Sequence, residues 1–425
     1  MKYIIILISI ILLFSCKSNE NVSPLGDTGI RLVELTLMAG TVDEYLIDSY
    51  IGNLSIDTAI KYDIKDLKNQ IDSLISVVEK IPTKDDSQKY RKNYQLGILK
   101  ATLTRLRVIN NEKVTFNEEC TSIYQFSPEI YEYEHFDSII VELDKFLDGN
   151  GDLLKRISSY RSNFKVENSD VDIAFKKAVK KSSVETKKYI KIPKVESIEI
   201  EYVYGAPWSA YNWYKGNYKS LIQVNKRVDI HLERILDLAA HESYPGHHVY
   251  YSLREKDFYR DSNYVEFSIY TLFSPVSFLA EGTAVYGNDL VFPKQNKIDF
   301  IRNEITGKYK YSNSELENYF LFLDLLNKLE SVQITIARDY IDKKIDDEAA
   351  IKLLEKYGLE SEESAMRRLS FIKRYRSYII NYTAGKKLVE QYINKKAENS
   401  HPKKWEVYKE ILTMPYLPPD LVKEL

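Results

Sequence analysis

Apolar residues that return every three or four positions dominate this chain, and they restrict it to packed amphipathic helices. In "DIKDLKNQIDSLISVVEKI", Leu67, Ile71, Leu74, Ile75 and Val78 fall on one face, and "KYRKNYQLGILKATLTRLRVI" continues in the same style. "SNSELENYFLFLDLLNKLESVQITIARDYI" opens with Ser312 three residues before Glu315, a reciprocal cap that marks a helix start. "DDEAAIKLLEKYG" closes on Gly358, which predicts a left-handed helix stop there, and "SEESAMRRLSFIKRYRSYIINYTAG" begins another helix. The links are short and polar, so the class is mainly α. One stretch departs from the pattern. "VESIEIEYVYGAPWSAYNWYKGNYKSLIQVN" alternates β-branched and aromatic residues between glycines and a proline, which predicts one or two short strands or a hairpin. An exposed strand there would offer an edge to which an extended peptide can add.

The 425 residues suffice for one large domain or two lobes around a central cleft. The expected division is a signal segment over 1–15, a flexible tether over 16–29, a helical lobe over 30–190 and a motif-bearing helical region over 191–425. The last two together read as one continuous domain, 30–425. Charged residues make up 29% of the chain but leave a net charge of −2, which excludes a global nucleic-acid footprint. Lys176, Lys177, Lys180, Lys181, Lys187 and Lys188 read as a solvated helix face. No phosphate-cradling glycine loop or dinucleotide fingerprint is present, so no nucleotide is expected.

The N-terminus reads "MKYIIILISIILLFSC", a lysine and an apolar run of signal-peptide length that ends at a cysteine. Leu13-Phe14-Ser15-Cys16 resembles a bacterial lipoprotein box, which makes Cys16 the expected lipidation site and first mature residue. The expected location is the bacterial cell envelope, on the periplasmic side or at the outer membrane, with the lipid as the membrane contact. Cys120 is the only other cysteine, so an acylated Cys16 leaves it without a disulfide partner and rules out a cysteine-built zinc site.

Of six histidines, His241, His247 and His248 lie within "HESYPGHH". A regular helix brings residues four apart onto one face, close enough to share a zinc ion. Six residues would rise about 9 Å and end on the wrong side. His241 and His247 can therefore share a metal only if Pro245-Gly246 bulges the chain. Proline breaks the hydrogen-bond ladder, and glycine admits backbone paths closed to other residues. With two residues absorbed, His247 falls at the usual ligand position, and His248 becomes a residue behind the ligands or facing substrate. Glu281, amid Phe278, Leu279, Ala280 and Ala284, is a carboxylate too costly to bury without a positive partner. His241, His247 and Glu281 would hold one Zn2+ per chain with a fourth position left for water. Glu242 would then serve as general base to that water, the nucleophile, with His248 or a tyrosine donating to the oxyanion.

"HESYPGHH" followed by "AEGTAVYG" resembles the bacterial domain of unknown function 885 family, with the strand segment "SLIQVN" and the late "RYRSYIINYTAGKKLVE" as further points of similarity. The resemblance runs from the first mature helices to near the C-terminus. It implies a large helical zincin-like fold of the glutamate-zincin type and metallopeptidase activity. It also implies His241, His247 and Glu281 as ligands, Glu242 as the base, and Tyr382 or its rival Tyr378 as a substrate or transition-state contact. The chain departs from the family pattern at Thr283, Asn288 and Val249-Tyr250, where the family commonly has tryptophan, an acid and leucine–glutamine. These departures bear on pocket shape rather than on the ligands. The resulting expectation is a zinc-dependent hydrolase of peptide or amide bonds in the envelope, wall-derived amides included. The alternative is a non-catalytic peptide-binding or structural lipoprotein on the same scaffold.

Overall fold

The computed structural model describes residues 23–425 apart from 207, 228 and 307–309. The lipoprotein box and Cys16 lie outside the described residues. The flexible tether expected over 16–29 is corrected at its far end. Ser23 accepts from the Gly26 amide and Pro24 takes the first helical position, so the chain is helical over Pro24–Gly40.

The mainly α class holds. The helix Ile64–Lys80 starts at the Asp63 cap and buries Leu67, Ile71, Leu74, Ile75 and Val78, the face given by the periodicity. The helix Asn313–Leu329 carries the reciprocal Ser312–Glu315 cap. Gly358 is not the left-handed residue after all. It remains helical at the end of Asp347–Gly358, and Leu359 takes the left-handed conformation at φ 50°. The helix begun near Ser361 runs over Glu362–Tyr375 and breaks at Arg376 (φ 53°, ψ −124°). A short 3-10 turn over Arg376–Ile379 then leads into the helix Ile380–Ala397. Buried apolar residues from Leu32 to Leu421 form one contiguous cluster, so the regions on either side of residue 190 share a core.

The strand segment is richer than its sequence implies. It forms β2 (Ser197–Val203), β3 (Ala210–Gly216) and β4 (Lys219–Asn225), in the order β2-β4-β3. β3 and β4 make a hairpin turned by Asn217 and Tyr218, both at positive φ, as a two-residue hairpin loop demands. β2 pairs parallel to β4, a long-range choice that alternation along the chain does not specify. A second pair joins β1 (Ile47–Tyr50) antiparallel to β5 (Ile269–Thr271). Its register jumps from Ile47↔Thr271 to Ser49↔Tyr270, leaving Asp48 as the extra residue of a bulge.

Candidate metal centre

The helix Leu232–Glu242 presents an apolar face of Leu232, Ile235, Leu236 and Ala239 to the core and carries His241 and Glu242 in its last turn. It then stops. Ser243 leaves helical geometry at ψ −96°, the Tyr244–Pro245 peptide is cis, and a new helix runs over His247–Arg254. The Gly246 amide donates to the Ala240 carbonyl at 3.1 Å, six residues back instead of four. That bond is the two-residue insertion seen directly. The carbonyls freed at the break find donors, with Asn212 Nδ2 on Glu242 O at 2.6 Å and the Tyr408 hydroxyl on Pro245 O at 3.1 Å. Gly246 is required by space, because a Cβ there would lie 1.9 Å from the His241 carbonyl oxygen.

The bend brings the His241 and His247 rings to 4.6 Å between centroids, at right angles. Glu281 arrives from the helix Pro275–Val291, which begins at the Ser274 cap with Pro275 in the first turn. This helix touches Ile380–Ala397 backbone to backbone. A Cβ on Gly282 would meet the Gly385 carbonyl oxygen at 2.5 Å, so only glycine allows the approach. The approach, with the break at Arg376, sets Tyr378 against Glu281, and its hydroxyl donates to Glu281 Oε1 at 2.8 Å.

Glu281 Oε2 lies 3.3 Å from His241 Nε2, and Glu281 Oε1 lies 3.5 Å from His247 Nε2. Glu242 also faces the pair, with His241, Glu242 and His247 offering donor atoms within 4.8 Å of one another. Atoms about 2.0–2.1 Å from a tetrahedral zinc ion stand about 3.3–3.4 Å apart, close to the 3.3 and 3.5 Å found between the Glu281 oxygens and the two imidazoles. Glu281 Oε2 and His247 Nδ1 are buried without hydrogen-bond partners among the described residues. An orphaned carboxylate oxygen beside the His241 nitrogen, on a carboxylate that also faces His247, suits a cation, so the residues present fit zinc.

The two carboxylates differ in environment. Burial would raise the Glu281 carboxyl, but the His247 and His241 imidazoles outweigh it and hold the group well below the usual carboxylate range. Burial likewise lowers His247, yet the Glu281 carboxylate raises it to about 9. Glu242 is pushed upward, chiefly by burial, against the pull of His241 and His247. One acid is a fixed anion and the other a better proton acceptor, a division of labour familiar from paired catalytic carboxylates.

His248 is turned away from this cluster, which corrects its expected place near the oxyanion. It is fully buried, with Nδ1 at 2.9 Å from Ser220 Oγ and Nε2 at 2.9 Å from Glu196 Oε2. Both ring nitrogens are occupied, so none is free for substrate. Tyr378 and Tyr382, rivals in the sequence, take different positions. Tyr378 is buried against Glu281, whereas Tyr382 is half-buried one turn on, its ring 5.8 Å from that of Tyr378. Arg367, Arg368 and Arg376 pair with Glu363, Glu360 and Glu119. Cys120 is buried, and burial pushes its thiol well above the ordinary range, as suits an inert cysteine.

Sequence reasoning missed Asp48, Tyr251 and Tyr270. The Tyr251 ring stacks on His247 at 5.8 Å, and its hydroxyl donates to Asp48 Oδ2 at 3.4 Å. The Tyr211 hydroxyl donates to Asp48 Oδ1. Only the spacing of Tyr251, four residues after His247, was legible beforehand. A small cavity of about 30 Å³ lined by Ser49, Tyr251 and Tyr270 adjoins these groups. A larger cleft of about 640 Å³, lined by Tyr340, Asp346, Asp347, Lys373 and Arg376, contains none of the histidines.

No protein-family model matches the chain. No curated protein matches it either. Among solved structures it is similar to a candidate lipoprotein from Colwellia psychrerythraea, at 12% identity and a TM-score of 0.52, over 93% of this chain and 74% of that one. It is also similar to a candidate lipoprotein of unknown function from Shewanella oneidensis, at 13% identity and a TM-score of 0.47, over 96% and 79% of the two chains. The Colwellia likeness shows a shared fold.

Proposed function

We propose that this protein is a zincin-like, zinc-dependent hydrolase of peptide or amide bonds, held at the bacterial envelope by lipid on Cys16. The observation that carries the reading is the bend at Ser243–Gly246, which sets His241, His247 and Glu281 around a common point with cation-compatible spacing. His241, His247 and Glu281 would hold the ion. When bound, zinc supplies a Lewis acid for the scissile carbonyl and lowers the pKa of water enough to give a nucleophile at neutral pH.

The protein's own groups do the rest. Glu242, buried and raised in proton affinity, takes a proton from the attacking water and passes it to the leaving amine. Tyr378 fixes the rotamer of Glu281 from behind, as partners of ligand side chains do. Tyr382, partly exposed and packed on Tyr378, would meet substrate. The envelope assignment draws on the N-terminal box and on the fold shared with a candidate lipoprotein. No helix among the described residues is long and apolar enough to cross a membrane.

Purified protein should contain about one zinc per chain, and Glu242→Gln should keep it while losing hydrolysis by about 10²–10⁴-fold. Full hydrolytic activity from rigorously metal-free protein would overturn the reading.

A further inference from the structure

Asp48 stands out as a charged group that the proposed chemistry leaves unused. It comes from the N-terminal part of the chain, almost two hundred residues before the motif, and reaches the site only because β1 bulges there. A bulge rotates its extra residue away from regular alternation, and bulges beside active sites commonly re-aim a side chain. The regular neighbours Ile47 and Ser49 pair with β5, while Asp48 turns to the Tyr211 and Tyr251 hydroxyls.

Its surroundings lack a positive partner of the ordinary kind. Both hydrogen bonds come from neutral phenols, and no lysine or arginine among the described residues pairs with it. Each carboxylate oxygen accepts one bond and retains capacity for another. His247 favours the Asp48 charge and Glu281 opposes it more weakly. Burial pushes the Asp48 carboxyl up to about 6, which leaves it mostly ionised at neutral pH. Asp48 and Tyr211 are partly buried residues at the edge of the site. A carboxylate with spare acceptor sites and no lysine or arginine partner among the described residues suits an ammonium group, whose three N–H donors match it.

Resting on the hydrolase reading above, we infer that Asp48, steadied by Tyr211 and Tyr251, binds a primary ammonium group of the substrate next to the bond presented to His241, His247 and Glu281. The natural source is the free amino terminus of a short peptide, which makes the protein an aminopeptidase in type. A lysine-like side-chain amine carries the same chemistry and is distinguished below. Tyr211 and Tyr251 are positioning residues, since each spends its hydroxyl proton on Asp48.

The test is calorimetric binding of three peptides to the zinc-loaded full chain and to its Glu242→Gln variant. The peptides are tetra-alanine, its N-acetyl form, and N-acetyl-lysyl-tri-alanine. Tetra-alanine should bind about ten- to a hundredfold more tightly than its acetylated form, the range for a hydrogen bond to a charged group. Asp48→Asn, which keeps an acceptor for the tyrosines, should erase that difference, and Asp48→Glu should restore part of it. Recovery of affinity by the acetylated lysyl peptide would support the same ammonium site with a side-chain amine as its source. Equal affinity for free and acetylated peptides, no binding of any of them, or a preference that survives in Asp48→Asn would each overturn the inference. Cleavage is scored separately. An Asp48-dependent preference without hydrolysis sinks the hydrolase reading alone, and equal cleavage of free and acetylated peptides sinks this one alone.

Discussion

Gly246→Ala puts the bend itself to the test. The added methyl carbon would lie 1.9 Å from the His241 carbonyl oxygen and 2.6 Å from that of Ala240. Close carbon–oxygen contacts run at about 3.3–3.6 Å, so the overlap exceeds 1 Å by a wide margin. The obstructing atoms are main chain, and no side-chain rotation relieves them. Gly246 has φ −71°, an ordinary value, so space rather than left-handed geometry sets the requirement. To admit the methyl, the loop must move off the end of the first helix and break the Gly246 amide bond to Ala240 O. That bond contributes about 1 kcal/mol net. Forced overpacking costs a further 1–3 kcal/mol or so, giving an expected loss of about 2–4 kcal/mol. His247 follows directly, so the donor spacing opens with the loop, and zinc affinity should fall by about 10–100-fold. Urea unfolding measures the first effect, and zinc competition against a fluorescent chelator measures the second. A variant within about 0.5 kcal/mol of the parent, with unchanged zinc affinity, would refute the argument that this spacing depends on a tight glycine bend.

Further outcomes follow from the same geometry. His247→Gln should abolish stoichiometric zinc, whereas His248→Gln should retain it, because His248 serves Glu196 and Ser220; metal analysis of the two purified variants decides. Tyr378→Phe removes the 2.8 Å bond to Glu281 and should weaken zinc binding by about 10–100-fold with the fold intact, read by chelator competition and circular dichroism. Burial opposes ionisation of Glu196, but His248, Lys187 and Tyr244 hydrogen bonds bring its carboxyl down to about 2. Its stabilising contribution is present above the unfolded value near 4.5 and is lost as pH falls toward 2. Allowing for solvent screening, that contribution is about 1–2 kcal/mol, and Glu196→Gln should flatten the acid limb of the stability curve. An unchanged limb in urea melts between those pH values would remove Glu196 as its source.

Some of the helical pattern was legible because each amphipathic helix buries its own stripe. Ile64–Lys80 and the Ser312 cap needed no distant partner to be read. Local sequence was weaker at the boundaries. Gly358 looked like the left-handed stop, but the turn placed that geometry on Leu359. The "HESYPGHH" stretch defined a conditional statement: two histidines six apart share a point only if the chain bends at Pro245-Gly246. The bend and the 4.6 Å ring separation meet that condition.

What the sequence determined by itself was therefore local: helix faces, caps, the need for a bulge, and the choice of His241, His247 and Glu281 as the groups to watch. Tertiary packing decided what no local pattern encodes. It turned His248 toward Glu196, because adjacent residues on a helix point about 100° apart and each finds its own neighbour. It set Tyr378 against Glu281 by pressing Gly282 against Gly385, with Tyr382 one turn further on. It carried Asp48 from a distant strand to the edge of the site through one bulged residue. Each of these depends on which surfaces meet, and contacts between segments far apart in the chain leave no periodic trace in either of them.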